Sequence, residues 1–388
     1  MRSFLLCTCL IVGLAPVHPA TQTPQPPARV LSFADAGWTL AGNNTTVTRE
    51  DGRDVLHLET GTAFRTDISM RDGTIDLDVR VTDRRSFVYL HFRMQSEDEH
   101  EEIYLRPHKS NLPDALQYAP VWQGESAWQL HHGPGGTAAT ALPPGVWTHV
   151  RLIVEGRRAA LFVGDMATPA LLIPALAREP QAGFVGLGGF LPANVPGTGA
   201  IAEFADVVVH PGPSAFDFAS AIAKAAEPPA TSDALLVREW SVSKAMATTP
   251  LATVPTLPAS AMPEQTVSSA PDGLVELHRD VTLPGTPLAS AVARITVTAE
   301  RAGLYAMDLG FSDVATVFVN GRPIFTRDDS YSFDRPRREG LIGFDQARVY
   351  LALNAGPNQI AILISDRFGG WGVMARFPSP DGLRVSAR

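Results

Sequence analysis

The sequence predicts an all-β protein: two β-sandwich domains, residues 30–210 and 235–388, joined by a short helical, Pro-rich connector at 211–234. Three observations carry that expectation. The chain has 388 residues, about twice what one ordinary domain of ~100–200 residues holds. Its apolar residues recur with a period of two in many short segments, the spacing that buries one face of a strand. Gly and Pro, 32 of each, punctuate those segments at the short intervals seen in sandwiches.

The chain begins Met1-Arg2-Ser3, continues with the apolar run Phe4 to Leu14, and then reads Ala15-Pro16-Val17-His18-Pro19-Ala20. A basic start, a short greasy stretch and small residues predict a secretory signal peptide over 1–20, cleaved after Ala20. A bilayer span needs roughly 20 apolar residues, so this run is too short to be one. Both cysteines, Cys7 and Cys9, lie inside it. The mature chain then holds none, which excludes disulfides, thiolate nucleophiles and Cys-ligated metals. No later stretch reads as an anchor, so the expectation is a secreted or periplasmic protein without membrane insertion. With 40 Asp+Glu against 32 Lys+Arg, a net charge of −8 and no basic tract, nucleic acid is an unsuitable partner.

Strands follow in order. Thr74 to Val81, Phe87 to Arg93, Glu102 to Arg106 and Trp147 to Val154 alternate apolar and polar residues, separated by Asp51-Gly52, Asp72-Gly73, Pro143-Pro144-Gly145 and Glu155-Gly156 turns. Pro211-Gly212-Pro213 ends the pattern, and Ser214 is placed to cap an Ala-rich helix from Ala215 to about Ala226. Alternation resumes in Leu274 to Arg279, Ala293 to Thr298, Val314 to Val319 and Ile360 to Ile364. Asn320-Gly321 predicts a hairpin, because both residues tolerate positive φ.

Facing the strands gives a candidate site. If Val88, Leu90, Phe92, Ile103 and Leu105 point inward, then Tyr89, His91, Arg93, Glu102, Tyr104 and Arg106 share the other face. The polar segment 107–118 follows, with His108, Asp114, Gln117 and Tyr118; then come Trp122 and Trp128. Aromatic rings beside planar amide, carboxylate and guanidinium groups suit an oligo- or polysaccharide, whose C–H patches stack on rings and whose hydroxyls take hydrogen bonds. Tyr89, His91, Arg93, Tyr104, Arg106, Gln117, Tyr118, Trp122 and Trp128 are the expected sugar contacts. Were the protein a glycan-active enzyme, Glu102 or His108 would transfer the proton and Asp114 would be the second acid. The competing reading is a solvated outer face, with the tryptophans plugging its rim. Glu97 to Glu102 reads as a solvated hairpin tip, and His131-His132 as structural. Trp371, flanked by glycines, reads as closing the second sandwich.

Residues 31–210 resemble the concanavalin A-like (laminin G-like) jelly roll of the 3-keto-disaccharide hydrolase-like family. The resemblance rests on Gly73 to Val79, Tyr104-Leu105-Arg106-Pro107-His108 and Gly145 to Arg151 followed by Ala160 to Val163. It implies a jelly-roll fold and a carbohydrate partner. The Glu-x-Asp-x-x-Glu strand of glucanases on this fold is missing. Residues 236–388 resemble a galactose-binding-domain-like jelly roll, through Leu309 to Asp313, Val317 to Gly321, Leu353 to Ile360 and Phe368 to Gly372. Both resemblances imply Ca²⁺ as a possible ion, although no compact Asp-x-Asp-x-Asp loop marks a site for it.

Overall fold

The computed structural model describes residues 27–225, 234–248, 255–259, 262–284, 288–332 and 339–387. The expected signal peptide lies outside them, as do part of the connector and Asp334, Arg335, Arg337 and Arg338. Among the described residues no helix is long and apolar enough to cross a membrane.

Period-two patterning becomes four antiparallel sheets. In the first half, one sheet places Gly73–Val81 between Thr148–Glu155 and Ala202–Pro211. The opposing sheet runs Glu125–Ser126, Leu116–Trp122, Glu99–Leu105, Phe87–Ser96, Gly183–Phe190, Thr60–Met70 and Thr39–Asn43. Between them lies a core that includes Leu77, Val79, Leu90, Phe92, Ile103, Leu105, Leu152 and Phe204. Val88, Leu90 and Phe92 point inward as the alternation requires.

The second half builds its own core around Trp240, Ile295, Phe311, Val317, Ile362, Trp371 and Phe377. Its sheets centre on Gly303–Ser312 and on Ala289–Ala299 paired with Gly356–Ser365. The Asn320-Gly321 turn joins Val314–Val319 to Arg322–Asp328, with φ of 48° and 79°. Trp371 is fully buried and donates its indole N–H to the Ile364 carbonyl at 3.2 Å.

Two local expectations change. The helix is Phe218–Ala225, and its cap is Asp217, whose Oδ1 accepts from the Ser220 N–H at 3.0 Å. Ser214 instead accepts from Phe216 within a tight turn. Phe218 and Ile222 hold the helix against Ile153, Ala160 and Phe162 of the first half. Leu274 to Arg279 is not one strand: a two-residue strand, Val275–Glu276, gives way to the helical turn Leu277–Asp280. Leu277 and His278 are both buried, and consecutive residues of a one-sided strand cannot both point inward.

The halves meet through the segment 123–132. Ala127 and Leu130 pack with Leu274, Ile342 and Met374. Gln123 donates to the carbonyls of His278 at 2.6 Å and Val281 at 3.0 Å, and accepts from the Leu283 N–H. Gln129 donates to the Glu339 carbonyl and accepts from the Ser312 hydroxyl at 2.8 Å. His131 faces Glu276 and His132 the Ile342 carbonyl.

Candidate functional site

The outer face of the second sheet collects most of the expected residues in register. Tyr89 lies opposite Tyr104, His91 opposite Glu102, and Gln117 opposite Tyr104 on its other side. Across the strand Gly183–Phe190, Gly186 stands beside His91, Gly188 beside Tyr89, and Phe190 beside Phe87. The glycines open space: a Cβ at Gly188 would lie 2.5 Å from His91 Nε2.

Most of this face is floor. His91, Glu102, Tyr104, Arg106 and Gln117 are all buried, under the 107–115 loop and the 123–132 segment. Arg106 organises the floor. Its guanidinium donates to the Asp114 carbonyl at 2.9 Å, the Asp114 carboxylate at 3.2 Å, the Tyr104 hydroxyl at 3.0 Å and Gln117 Oε1. Gln117 in turn donates to the carbonyls of Trp128 and His131. With so many donors matched, this arginine positions neighbours and has little left to offer a hydroxyl.

The accessible chemistry is aromatic. Phe190 is 46% exposed and Phe368 52%. Phe87 lies 6.0 Å from Phe190, Arg106 stacks 5.9 Å from both Phe87 and Trp128, and Trp128 meets Tyr331 at 5.7 Å and Phe368 at 6.2 Å. The rim therefore runs from the first half to the second, and Arg85 ties it by donating to the Tyr331 hydroxyl at 2.8 Å.

Three expected contacts lie elsewhere. Arg93 sits in a β-bulge with φ of 51°, which breaks the alternation and turns its guanidinium to the Arg71 and Gly156 carbonyls and to Asp72. Tyr118 belongs to the inner core, where its hydroxyl donates to Glu101 and accepts from the Ala177 N–H at 2.7 Å. Residues 116–122 form a strand, so Gln117 and Tyr118 cannot share a face. Trp122 falls on Tyr118's side, with the Arg178 guanidinium 3.9 Å over its ring.

The proposed proton-transfer groups are also dispersed. Glu102 is 4% exposed and its carboxylate accepts from the Ser126 hydroxyl at 2.6 Å. Asp114 is held by Arg106 and by Lys109 at 3.1 Å. His108 lies in the short 3₁₀ turn Pro107–Lys109, edge-on to Phe87 at 5.4 Å. Burial and the positive charges of Arg85, Arg106 and Lys109 hold its imidazole down at about 4, so the ring is neutral at pH 7. Of residues 97–102 only Glu97 and Asp98 form the exposed hairpin tip; the strand begins at Glu99, and His100, Glu101 and Glu102 are all buried. Sequence reasoning missed His100 for that reason, although its spacing of two from Glu102 was the available signal. It did not count Phe190 or Phe368 among the sugar contacts, and Phe368 entered only as part of the Phe368 to Gly372 segment.

Beneath Phe368, Asp313 accepts the backbone N–H groups of Arg367 and Phe368 at 2.8 Å each, fixing the loop that carries the exposed ring. Burial raises its carboxyl to about 7 in spite of those donors. A folded-state value above the unfolded one favours the protonated form, so this group's contribution is greatest below about pH 4 and is lost as pH rises to about 7. Asp313→Asn keeps an acceptor for the two N–H groups and removes the charge. The variant is expected to gain on wild type by up to about 1.4 kcal/mol per pH unit across that window, read from urea midpoints at pH 5, 6 and 7. Parallel pH profiles would contradict it.

No family model and no curated protein matches the chain. Solved structures do. A carbohydrate binding module, CBM66, from Bacillus subtilis is 16% identical over 45% of this chain and 95% of its own, with a TM-score of 0.33. A Bacillus licheniformis β-glucanase is 12% identical over 49% of this chain and 100% of its own, with a TM-score of 0.35. A Bacillus subtilis protein of unknown function with a galectin-like fold is 12% identical over 45% and 88%, with a TM-score of 0.34. Among the described residues, the one converging set of His, Cys, Asp or Glu side chains that could hold a metal ion is His91, His100 and Glu102.

Proposed function

We propose that this is an exported carbohydrate-recognition protein that binds glycan along the rim formed by Phe87, Phe190, Trp128 and Phe368, above the Arg106 floor. The observation that carries this reading is the pair of half-exposed phenylalanines at the two ends of a row of rings that the Arg106 guanidinium bridges between Phe87 and Trp128. Exposed rings on a rigid, hydrogen-bond-saturated base stack on sugar C–H faces with little ordering cost. Recognition is favoured over hydrolysis because Glu102 and Asp114 are committed to internal partners. A glycan array on the purified protein, followed by calorimetric titration of the best ligand, tests it. Phe190→Ala and Phe368→Ala should each weaken binding at least tenfold while moving the urea midpoint little, since both rings already face water. Unchanged affinity in both variants would remove the rim from the account.

A further inference from the structure

His91, His100 and Glu102 stand apart from the glycan rim. They lie on the neighbouring strands Phe87–Ser96 and Glu99–Leu105, all three more than nine-tenths buried. One potential ligand atom from each falls within 4.8 Å of the others. His91 Nδ1 is 3.5 Å and His100 Nε2 3.6 Å from the same oxygen, Glu102 Oε2. A tetrahedral zinc with bonds of about 2.0–2.2 Å separates its ligand atoms by about 3.3–3.5 Å.

The hydrogen bonding points the same way. None of the four ring nitrogens of His91 and His100 makes a hydrogen bond among the described residues. A neutral imidazole carries one N–H donor and one acceptor nitrogen, and burying either without a partner is costly. Glu102 is a buried carboxylate with one oxygen within 3.6 Å of both rings. A divalent cation would take one lone pair from each ring and offset the carboxylate charge.

The surroundings resemble an ordered ligand shell. The Ser126 hydroxyl fixes the second carboxylate oxygen at 2.6 Å, the kind of outer contact that orients a metal ligand. Tyr89 stacks on His91 at 5.5 Å and 10° between planes, His91 and His100 meet edge to face at 4.7 Å, and Gly188 leaves the room that His91 fills.

We propose that His91, His100 and Glu102 bind one divalent transition-metal ion of the Zn²⁺ type, which clamps the two strands to the Ser126 segment. Two imidazoles and one carboxylate suit Zn²⁺ better than Ca²⁺ or Mg²⁺, which take oxygen ligands. The inference does not depend on glycan binding.

The test uses untagged mature protein, residues 21–388 and so without Cys7 and Cys9, stripped with a chelator and then loaded with Zn²⁺ or Co²⁺. One equivalent of metal is expected to bind, with tetrahedral cobalt absorption in the visible. His91→Ala, His100→Ala and Glu102→Gln should each lower Zn²⁺ affinity more than about 100-fold, and Ser126→Ala about tenfold, as for an outer-shell partner. Wild-type affinity in the His91→Ala/His100→Ala double variant overturns the proposal, as does failure to load a stoichiometric ion. Should the variants not fold, zinc-edge X-ray absorption of loaded wild type decides. Two imidazoles in an oxygen and nitrogen shell support the site; any sulfur, or fewer than two imidazoles, overturns it.

Discussion

Trp371→Ala is expected to destabilise the protein by about 3–5 kcal/mol, the range for deleting a large aromatic from a packed core. The side chain has no exposed surface and sits in the core of the second half, against the His278 ring at 5.6 Å. Two glycines precede it, and their small size lets the first half approach: a Cβ at Gly370 would lie 2.9 Å from Leu130 Cγ. Loss of the indole therefore opens a cavity next to the joint as well as inside the sandwich. Trp371→Phe should recover most of the volume but leave the Ile364 carbonyl without its donor, a residual cost of about 1–2 kcal/mol. Urea unfolding monitored at constant m-value measures both. A change under about 1 kcal/mol for alanine would mean that the core collapses around the gap.

Arg106→Ala is expected to cost about 3 kcal/mol, because the buried Tyr104 hydroxyl and Gln117 carbonyl each lose a charged donor at about 1–3 kcal/mol apiece, while Asp114 keeps Lys109. Asp114, Tyr104 and Gln117 would all lose a donor, and the 107–115 loop would lose the contact that seats it on the sheet. Arg106→Lys should rescue only part of this, since one ammonium cannot span acceptors that the planar guanidinium fork reaches together. Glycan binding should fall in both variants even though Arg106 itself is buried, because Trp128 and Phe87 rest against its guanidinium. An alanine variant that unfolds within about 1 kcal/mol of wild type would show that the network contributes little.

Much of the architecture was legible because β-strands write themselves in period two. Tyr89, His91, Glu102 and Tyr104 share a face as alternation requires, and the Asn320-Gly321 turn is where its backbone preference puts it. Alternation fails where a strand is irregular or short. The bulge at Arg93 adds a residue and reverses the side-chain direction, and Leu277 to Asp280 coils to bury adjacent residues. Burial was the other hidden variable. Sequence cannot tell a polar residue on a wet outer face from one roofed by a distant segment, and here residues 123–132 and the second half supply the roof. Gln117, Gln129 and His131 have the composition of a sugar site, yet their hydrogen bonds go to protein groups: Gln117 to the Trp128 and His131 carbonyls and to Arg106, Gln129 to the Glu339 carbonyl and Ser312, and His131 to Glu276. Phe190 and Phe368 sit in glycine-rich stretches where alternation does not single out an exposed ring, which is why neither was expected as a sugar contact.

The 123–132 wedge also limits how the molecule can be divided. Severed at the connector, the first sandwich would carry Ala127 and Leu130 into water, and the amides of Gln123 and Gln129 would exchange their bonds across the joint for solvent. The second would lose the cover over Leu274 and Ile342 at the same stroke. Neither half is a cassette that transplants freely onto another chain; each completes the other's surface.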